Sequence, residues 1–202
     1  MVLLGVLILG YLLGSVPFGL LLVRLAGLGD VRAVGSGNIG TTNVLRTGRK
    51  DLAAATLLLD AAKGAVAVGL AYLLFEGGRV EMAVAGAGAF LGHCFPAWLR
   101  FHGGKGVATY LGTALAFDWR VGLLAVVIWV ISAAITRYSS MSALAAATFT
   151  PPLLLVFGEL AFACAAVFMT ALVFYRHKEN IQRLRVGTES KIGQKAGPAR
   201  QA

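Results

Sequence analysis

The chain has 202 residues, of which 58% are hydrophobic and only 13% charged, with a formal net charge of +9 and a mean hydropathy of +0.79. A soluble domain of this size carries about a quarter charged residues. There is too little polar surface here to cover a globule, and the long apolar runs make the bilayer the expected solvent.

The first run, 1–24, is uncharged up to Arg24 and long enough to cross about 30 Å of hydrocarbon as a helix. A cleaved signal peptide fits it poorly, because it has no basic n-region and no small-residue cleavage site leading to a soluble domain. Further apolar segments follow at 52–75, 80–99, 107–117, 121–136, 141–157 and 160–175. The expected fold is an all-α integral membrane protein of seven transmembrane helices, one of them short, forming one membrane-embedded domain over 1–202. The short one, 107–117, reaches only about 16 Å at the helical rise, so it is expected to begin inside the membrane envelope.

Orientation follows from Lys and Arg. With the N-terminus outside, the cytoplasmic loops and tail hold fifteen of the 18 basic residues, including Lys195 and Arg200 in the tail. Arg79 and Arg120 fall outside, with Glu76, Glu81, Asp118 and Glu159, and Lys63 lies within a span. The expected topology is therefore N-out with a cytoplasmic C-terminus. Basic residues facing an anionic inner leaflet account for much of the net charge, and no nucleic-acid-binding motif is present. Cys94 and Cys164 have no metal-ligand or disulfide spacing and read as apolar filler.

The first polar loop contains "GSGNIGTTN", Gly35 to Asn43, which has the G-x-G-x-x-G spacing of a dinucleotide turn. That fingerprint requires a preceding strand and a helix opening at its last glycine. Here a membrane span precedes it and a polar loop follows, so the dinucleotide reading is rejected. The loop still suits an anion. Gly35, Gly37 and Gly40 allow close backbone approach, Ser36, Asn38, Thr41, Thr42 and Asn43 add uncharged donors, and Arg46 adds a guanidinium fork.

The span at 52–75 carries Asp60 and Lys63 three residues apart on one face, which reads as a buried ion pair or part of a site. "HGGKGVATY", His102 to Tyr110, places Lys105 between Gly103, Gly104 and Gly106 ahead of the short helix. It lacks the G-K-[ST] of a Walker loop, yet glycine amides, a lysine and a helix N-terminus form a second anion cradle. If the helix start is sunk toward lipid, the bound anion sits near acyl chains. In "RYSSMS", Arg137 to Ser142, the hydroxyls either cap the next helix or join the site. The tail segment "YRHKENIQRLRVGTESKIG" suits an interfacial basic helix, with His177 and Asn180 on one face and Arg183 and Arg185 at lipid headgroups.

This inventory has almost no carboxylates on the cytoplasmic side. It has no paired acids for glycoside chemistry, no H-E-x-x-H and no G-x-S-x-G. The H-x-x-x-x-D of soluble-type glycerolipid acyltransferases is also missing, since Trp98 stands five residues after His93. Neither metal nor cofactor is expected. Anions must then be handled by positioning and electrostatics.

"GSGNIGTTNVLRTG", "LLLDAAKG", "GHCFPAWLRFHGGKGVAT" and "RHKENIQRLRVGTESK" together resemble the signature segments of the bacterial acyl-phosphate glycerol-3-phosphate acyltransferases, in order and over nearly the whole chain. One departure is Thr41, where that family usually has Ala. The resemblance implies acyl transfer from acyl phosphate to the 1-hydroxyl of glycerol 3-phosphate, giving lysophosphatidic acid and phosphate. It also implies an inner-membrane enzyme whose site faces the cytoplasm. On this chain it implies catalytic roles for Ser36, Arg46, Lys105, His177 and Asn180. Substrate-binding roles fall to Gly37, Asn38, Thr42, Asn43, Gly103, Gly104 and Gly106, and a structural one to Glu189; Ser142 of the hydroxyl cluster is expected to join the substrate-binding residues. The expected partners are the two phosphorylated substrates and membrane lipid, with no nucleic acid, and a monomer is expected. The same basic loops also permit an organophosphate transporter, although no inverted repeat of broken helices is visible, and a structural membrane subunit is a third reading.

Overall fold

The computed structural model describes residues 1–194, so Lys195 and Arg200 lie outside the described residues. The described chain is helical, with no strand. The helices are α1 (Val2–Gly14), α2 (Phe18–Leu25), α3 (Thr41–Val44), α4 (Lys50–Leu74), α5 (Arg79–Cys94), α6 (Val107–Phe117), α7 (Trp119–Thr136), α8 (Ser139–Val156), α9 (Leu160–Arg176) and α10 (Lys178–Arg185). Among the described residues, five stretches are long and apolar enough to cross a membrane: Val2–Leu25, Lys50–Leu74, Arg79–Leu99, Trp119–Thr136 and Ser139–Val156. Helices α9 and α10 form a sixth candidate bent by 58°, and α6 is a shorter apolar helix of 11 residues.

The first apolar run is broken where the sequence predicts one helix. Pro17 has no N–H and disfavours helical geometry at Val16, so α1 ends at Gly14 and α2 begins at Phe18. The carbonyls freed at the break find side-chain donors. Trp98 Nε1 donates to Ser15 at 2.8 Å and Lys63 Nζ to Val16 at 2.9 Å. A second proline site obeys the same rule. Pro151 leaves the Ala147 carbonyl without its helical partner, and the hydroxyls of Thr170 (2.9 Å) and Tyr110 (3.3 Å) donate to it from α9 and α6.

Helix α1 packs along α5, α4 along α6, and α7, α8 and α9 pack in series. Within lipid the pull between helices comes from close packing, for which small residues are needed. Gly10 and Gly14 of α1 lie against the backbone of Ala85 and Ala89, and Gly88 and Gly92 of α5 lie against that of α1. A methyl at Gly14 would overlap the Ala89 carbonyl. Gly14→Ala is therefore expected to destabilise the bundle by about 1–3 kcal/mol through overpacking, read as a lowered thermal midpoint in detergent. The apolar core runs through Phe90, Tyr110, Phe162 and Met169, with Phe117 stacked on Phe162 at 4.5 Å between ring centroids. This packing brings the connections α2–α4, α5–α6 and α7–α8 and the α9–α10 segment to one end of the bundle.

Candidate functional site

The α2–α4 loop is organised from within by Asn43, which is 2% exposed. Its Nδ2 donates to the carbonyls of Val31 (2.8 Å), Val34 (2.9 Å) and Asn38 (2.8 Å). Two hydrogens cannot serve three acceptors singly, so one bond is shared. Its Oδ1 accepts from the Ser36 amide at 3.1 Å and from Arg46 Nη1 at 3.5 Å. The glycine at 35 is required on two counts. Its φ is +54°, and a Cβ there would stand 2.7 Å from both Asn43 Oδ1 and the Arg46 side chain. Ser36 and Gly37 are exposed at the loop's rim, and Asn38 Oδ1 accepts the Gly40 amide at 3.3 Å. The Thr41 hydroxyl is buried without a partner, so an alanine there would give up no hydrogen bond.

Two side chains carry this loop to the rest of the site. Thr42 Oγ1 lies 3.3 Å from the Ser139 hydroxyl, and Arg46 Nη2 donates to Ser190 Oγ at 2.8 Å.

The second loop differs from its sequence reading in one respect. The amides of Gly103 and Gly104 are not open to an anion, because they donate to the carbonyls of Cys94 (3.2 Å) and His93 (3.1 Å) at the end of α5. Arg176 grips the same two residues from the other side, its Nη2 donating to the Gly103 carbonyl at 2.7 Å and its Nε to that of Gly104 at 3.0 Å. These glycines shape the cradle; the donors left to it are the first-turn amides of α6 and Lys105. Gly106 turns the chain into that helix with φ +77° against the Phe90 ring.

Lys105 Nζ donates to Asn180 Oδ1. Burial and the nearby charge of Arg183 lower its pKa from 10.5 to about 8. Asn180 in turn donates through Nδ2 to Glu189 Oε1 at 2.6 Å. Glu189 also accepts from Ser140 Oγ at 2.8 Å and from Arg183 Nε at 2.7 Å, with its side chain only 6% exposed. Burial alone would raise its pKa, but the hydrogen bonds from Asn180, Ser140 and Arg183 outweigh it and hold the carboxylate below its ordinary range.

Arg183 pairs with Glu189 through Nε, and its side chain remains 38% exposed. In the serine cluster, no side chain caps α8; Ser140 reaches Glu189, while the buried Ser142 donates to the Tyr138 carbonyl at 2.9 Å. His177 and Asn180 are both buried. His177 Nδ1 lies 2.8 Å from the Val173 carbonyl, which assigns the proton to Nδ1 and leaves Nε2 as an acceptor. Burial and the Lys105 charge lower its pKa to about 4. The sequence reading passed over Arg176 and Ser190, for which the local sequence carries no signal beyond a basic residue at a helix end.

Fold and site together define a helical membrane protein with a cluster of basic and hydroxyl side chains at one end of its bundle. Residues 4–187 match the family model described as glycerol-3-phosphate acyltransferase. The chain belongs to that family.

Glycerol-3-phosphate acyltransferases from Bradyrhizobium diazoefficiens and Paramagnetospirillum magneticum are similar to it. The first is 57% identical over 94% of this chain and 95% of its own, the second 60% identical over 92% of each. Among solved structures, a crystal structure of an integral membrane glycerol 3-phosphate acyltransferase in its glycerol 3-phosphate form superposes with a TM-score of 0.88. It is 36% identical and matches over 95% of this chain and 96% of that one. The lysophosphatidic acid form gives a TM-score of 0.87 at 35% identity over 95% of each chain.

Proposed function

We propose that this chain moves a fatty acyl group from acyl phosphate to the 1-hydroxyl of sn-glycerol 3-phosphate, giving lysophosphatidic acid and phosphate. One membrane-embedded domain of seven spans does this, N-terminus outside, with the site at the cytoplasmic face of a bacterial inner membrane. The observation that carries the reading is the junction of two anion-handling loops through a single relay, Arg46 to Ser190 on one side and Lys105 to Asn180 and Glu189 on the other. Two such loops suit two phosphorylated substrates. The glycerol 3-phosphate and lysophosphatidic acid forms of the solved relatives are the acceptor and product of this reaction. The concentration of basic residues at the site's end of the bundle supports the orientation.

In the reaction, the glycerol hydroxyl oxygen attacks the acyl carbonyl carbon, the carbon–oxygen bond to phosphate breaks, and the hydroxyl proton passes to the departing phosphate, directly or through water. Lys105 and Arg46 neutralise the phosphates, and Ser36, Asn38 and Thr42 orient them. Gly37 lets the first loop approach closely, Asn43 and Ser142 fix the loops from behind, and Gly103, Gly104 and Gly106 shape the second cradle. His177, with its pKa near 4, is a poor general base at neutral pH and has no carboxylate to orient it as one. It positions the acceptor through Nε2, as Asn180 positions Lys105. His177→Gln is accordingly expected to keep more than about 1% of turnover, where loss of a true general base would cost about 10²–10⁴-fold. Abolished turnover with intact substrate binding would sink this assignment.

The reaction itself is tested with labelled glycerol 3-phosphate added outside oriented vesicles, with acyl phosphate, acyl-CoA or acyl carrier protein as donor. Lysophosphatidate is expected from acyl phosphate alone, and in inside-out vesicles alone. Product from the thioesters would reassign the donor, product in right-side-out vesicles the topology, and accumulation of unmodified glycerol 3-phosphate would point to a transporter.

A further inference from the structure

Asp60, Lys63 and His93 lie in α4 and α5 beneath the site and have no part in the chemistry above. We propose that they form a buried network that sets the position of the 103–106 loop, with His93 as the positioning residue for the phosphate held there; the catalytic consequence rests on the acyl-transfer reading.

Lys63 Nζ donates to Asp60 Oδ1 at 2.8 Å and to the Val16 carbonyl at 2.9 Å, in the break between α1 and α2. Both charged residues are nearly buried, at 2% and 5% exposed, so each depends on the other for compensation. His93 Nδ1 stands 3.7 Å from the same Asp60 oxygen and has no hydrogen-bond partner of its own. That separation is beyond hydrogen-bond range, so the carboxylate acts on the ring through its charge alone.

The opposite edge of the ring faces the loop. Nε2 lies directly beneath Gly104, where any Cβ would overlap it, and the His93 carbonyl accepts the Gly104 amide at 3.1 Å. One residue therefore supports Gly104 twice, through its ring and through its backbone, while Arg176 holds the upper side. Consecutive glycines have the widest backbone freedom of any pair. Fixed between an imidazole and a guanidinium, they place Lys105 and the start of α6 at one height.

The test uses the full chain in detergent, with affinity for inorganic phosphate read by titration calorimetry beside kcat, both KM values and the thermal midpoint. His93→Leu keeps the volume and removes the Asp60 contact. Because displacement of about 1 Å can cost a hundredfold in rate, at least about tenfold weaker phosphate binding and lower kcat/KM are expected, with the protein still folded. Asp60→Asn is expected to shift both in the same direction, and His93→Gln to recover part of the loss by placing a donor toward Asp60. Gly104→Ala is expected to fail by collision with the ring, and His93→Ala with Gly104→Ala to do better than the product of the two single effects, as contacting residues do. If His93→Leu does not fold, this pair decides. Folded His93→Leu with wild-type phosphate affinity, or a strictly multiplicative double variant, overturns the network. A wild-type chain that binds phosphate more tightly than its His93 variants yet makes no lysophosphatidate leaves the network standing and removes the acyl-transfer reading.

Discussion

Replacing Lys105 by methionine is expected to lower kcat/KM by about 10²–10³-fold, the range for losing one preorganised donor aimed at developing charge. The side chain is the one cation reaching from the second cradle, and methionine keeps its length and apolar stem while removing the ammonium. Its pH behaviour makes the assignment more specific. Because the folded-state pKa is about 8, the protonated form needed to hold a phosphate is lost as pH rises through that value. The kcat/KM profile, which reports the free enzyme, should therefore fall above about pH 8, and the kcat profile should fall at higher pH because bound phosphate favours the ammonium. Stability moves oppositely. Between the folded value of about 8 and the ordinary 10.5, the unfolded chain binds more protons, so this group favours the folded state increasingly as pH rises. Activity falling while stability holds or rises separates loss of the charge from alkaline unfolding. Lys105→Arg should move the alkaline limb upward. A profile unchanged in Lys105→Arg would assign the limb elsewhere.

What the sequence makes legible is what depends on local pattern. Apolar run length marks the helices, an i,i+3 spacing marks Asp60 with Lys63, and glycine and lysine spacing marks both cradles. What it conceals depends on which distant groups consume a polar atom. The free-amide reading of Gly103 and Gly104 fails because the end of α5, nearby in sequence, and Arg176, more distant, occupy those peptides. Nothing local marks Glu189 as the partner of Arg183 until the tail folds back and brings the two together. Asn43 looks like a ligand-binding amide, yet its amide hydrogens and its oxygen are engaged inside the loop. The break at Pro17 is hidden within an apolar run that reads as one helix, and its tolerance there depends on Trp98 and Lys63 supplying donors from elsewhere in the bundle. In lipid such donors are the condition for any break.

Glu189→Ala is expected to be nearly as damaging as loss of Lys105, although this carboxylate lies one step removed from the phosphates. It receives Ser140, Asn180 and Arg183 together, and each buried donor left unpaired costs about 1–3 kcal/mol. Arg183, whose side chain is 38% exposed, recovers solvation and should add little. Asn180 matters most. Its amide has two different ends, and the bond from Nδ2 to Glu189 is what turns Oδ1 toward Lys105. Without the carboxylate the amide is free to reverse, and Lys105 then faces an N–H instead of an acceptor. A kcat/KM loss of about a hundredfold follows if misorientation costs near 3 kcal/mol, at about 1.4 kcal/mol per factor of ten. Glu189→Gln should cost less, since its carbonyl oxygen can keep Ser140 and Asn180, which share Oε1, while its amide faces the more exposed Arg183. Asn180→Asp alone sets two carboxylates against each other. Combined with Glu189→Gln it returns one charge to the pair, with the glutamine amide donating to the new carboxylate beside Lys105. That double variant is expected to exceed the product of its singles in kcat/KM. If the effects simply multiply, Glu189 does not orient Asn180, and its carboxylate serves only to hold the tail.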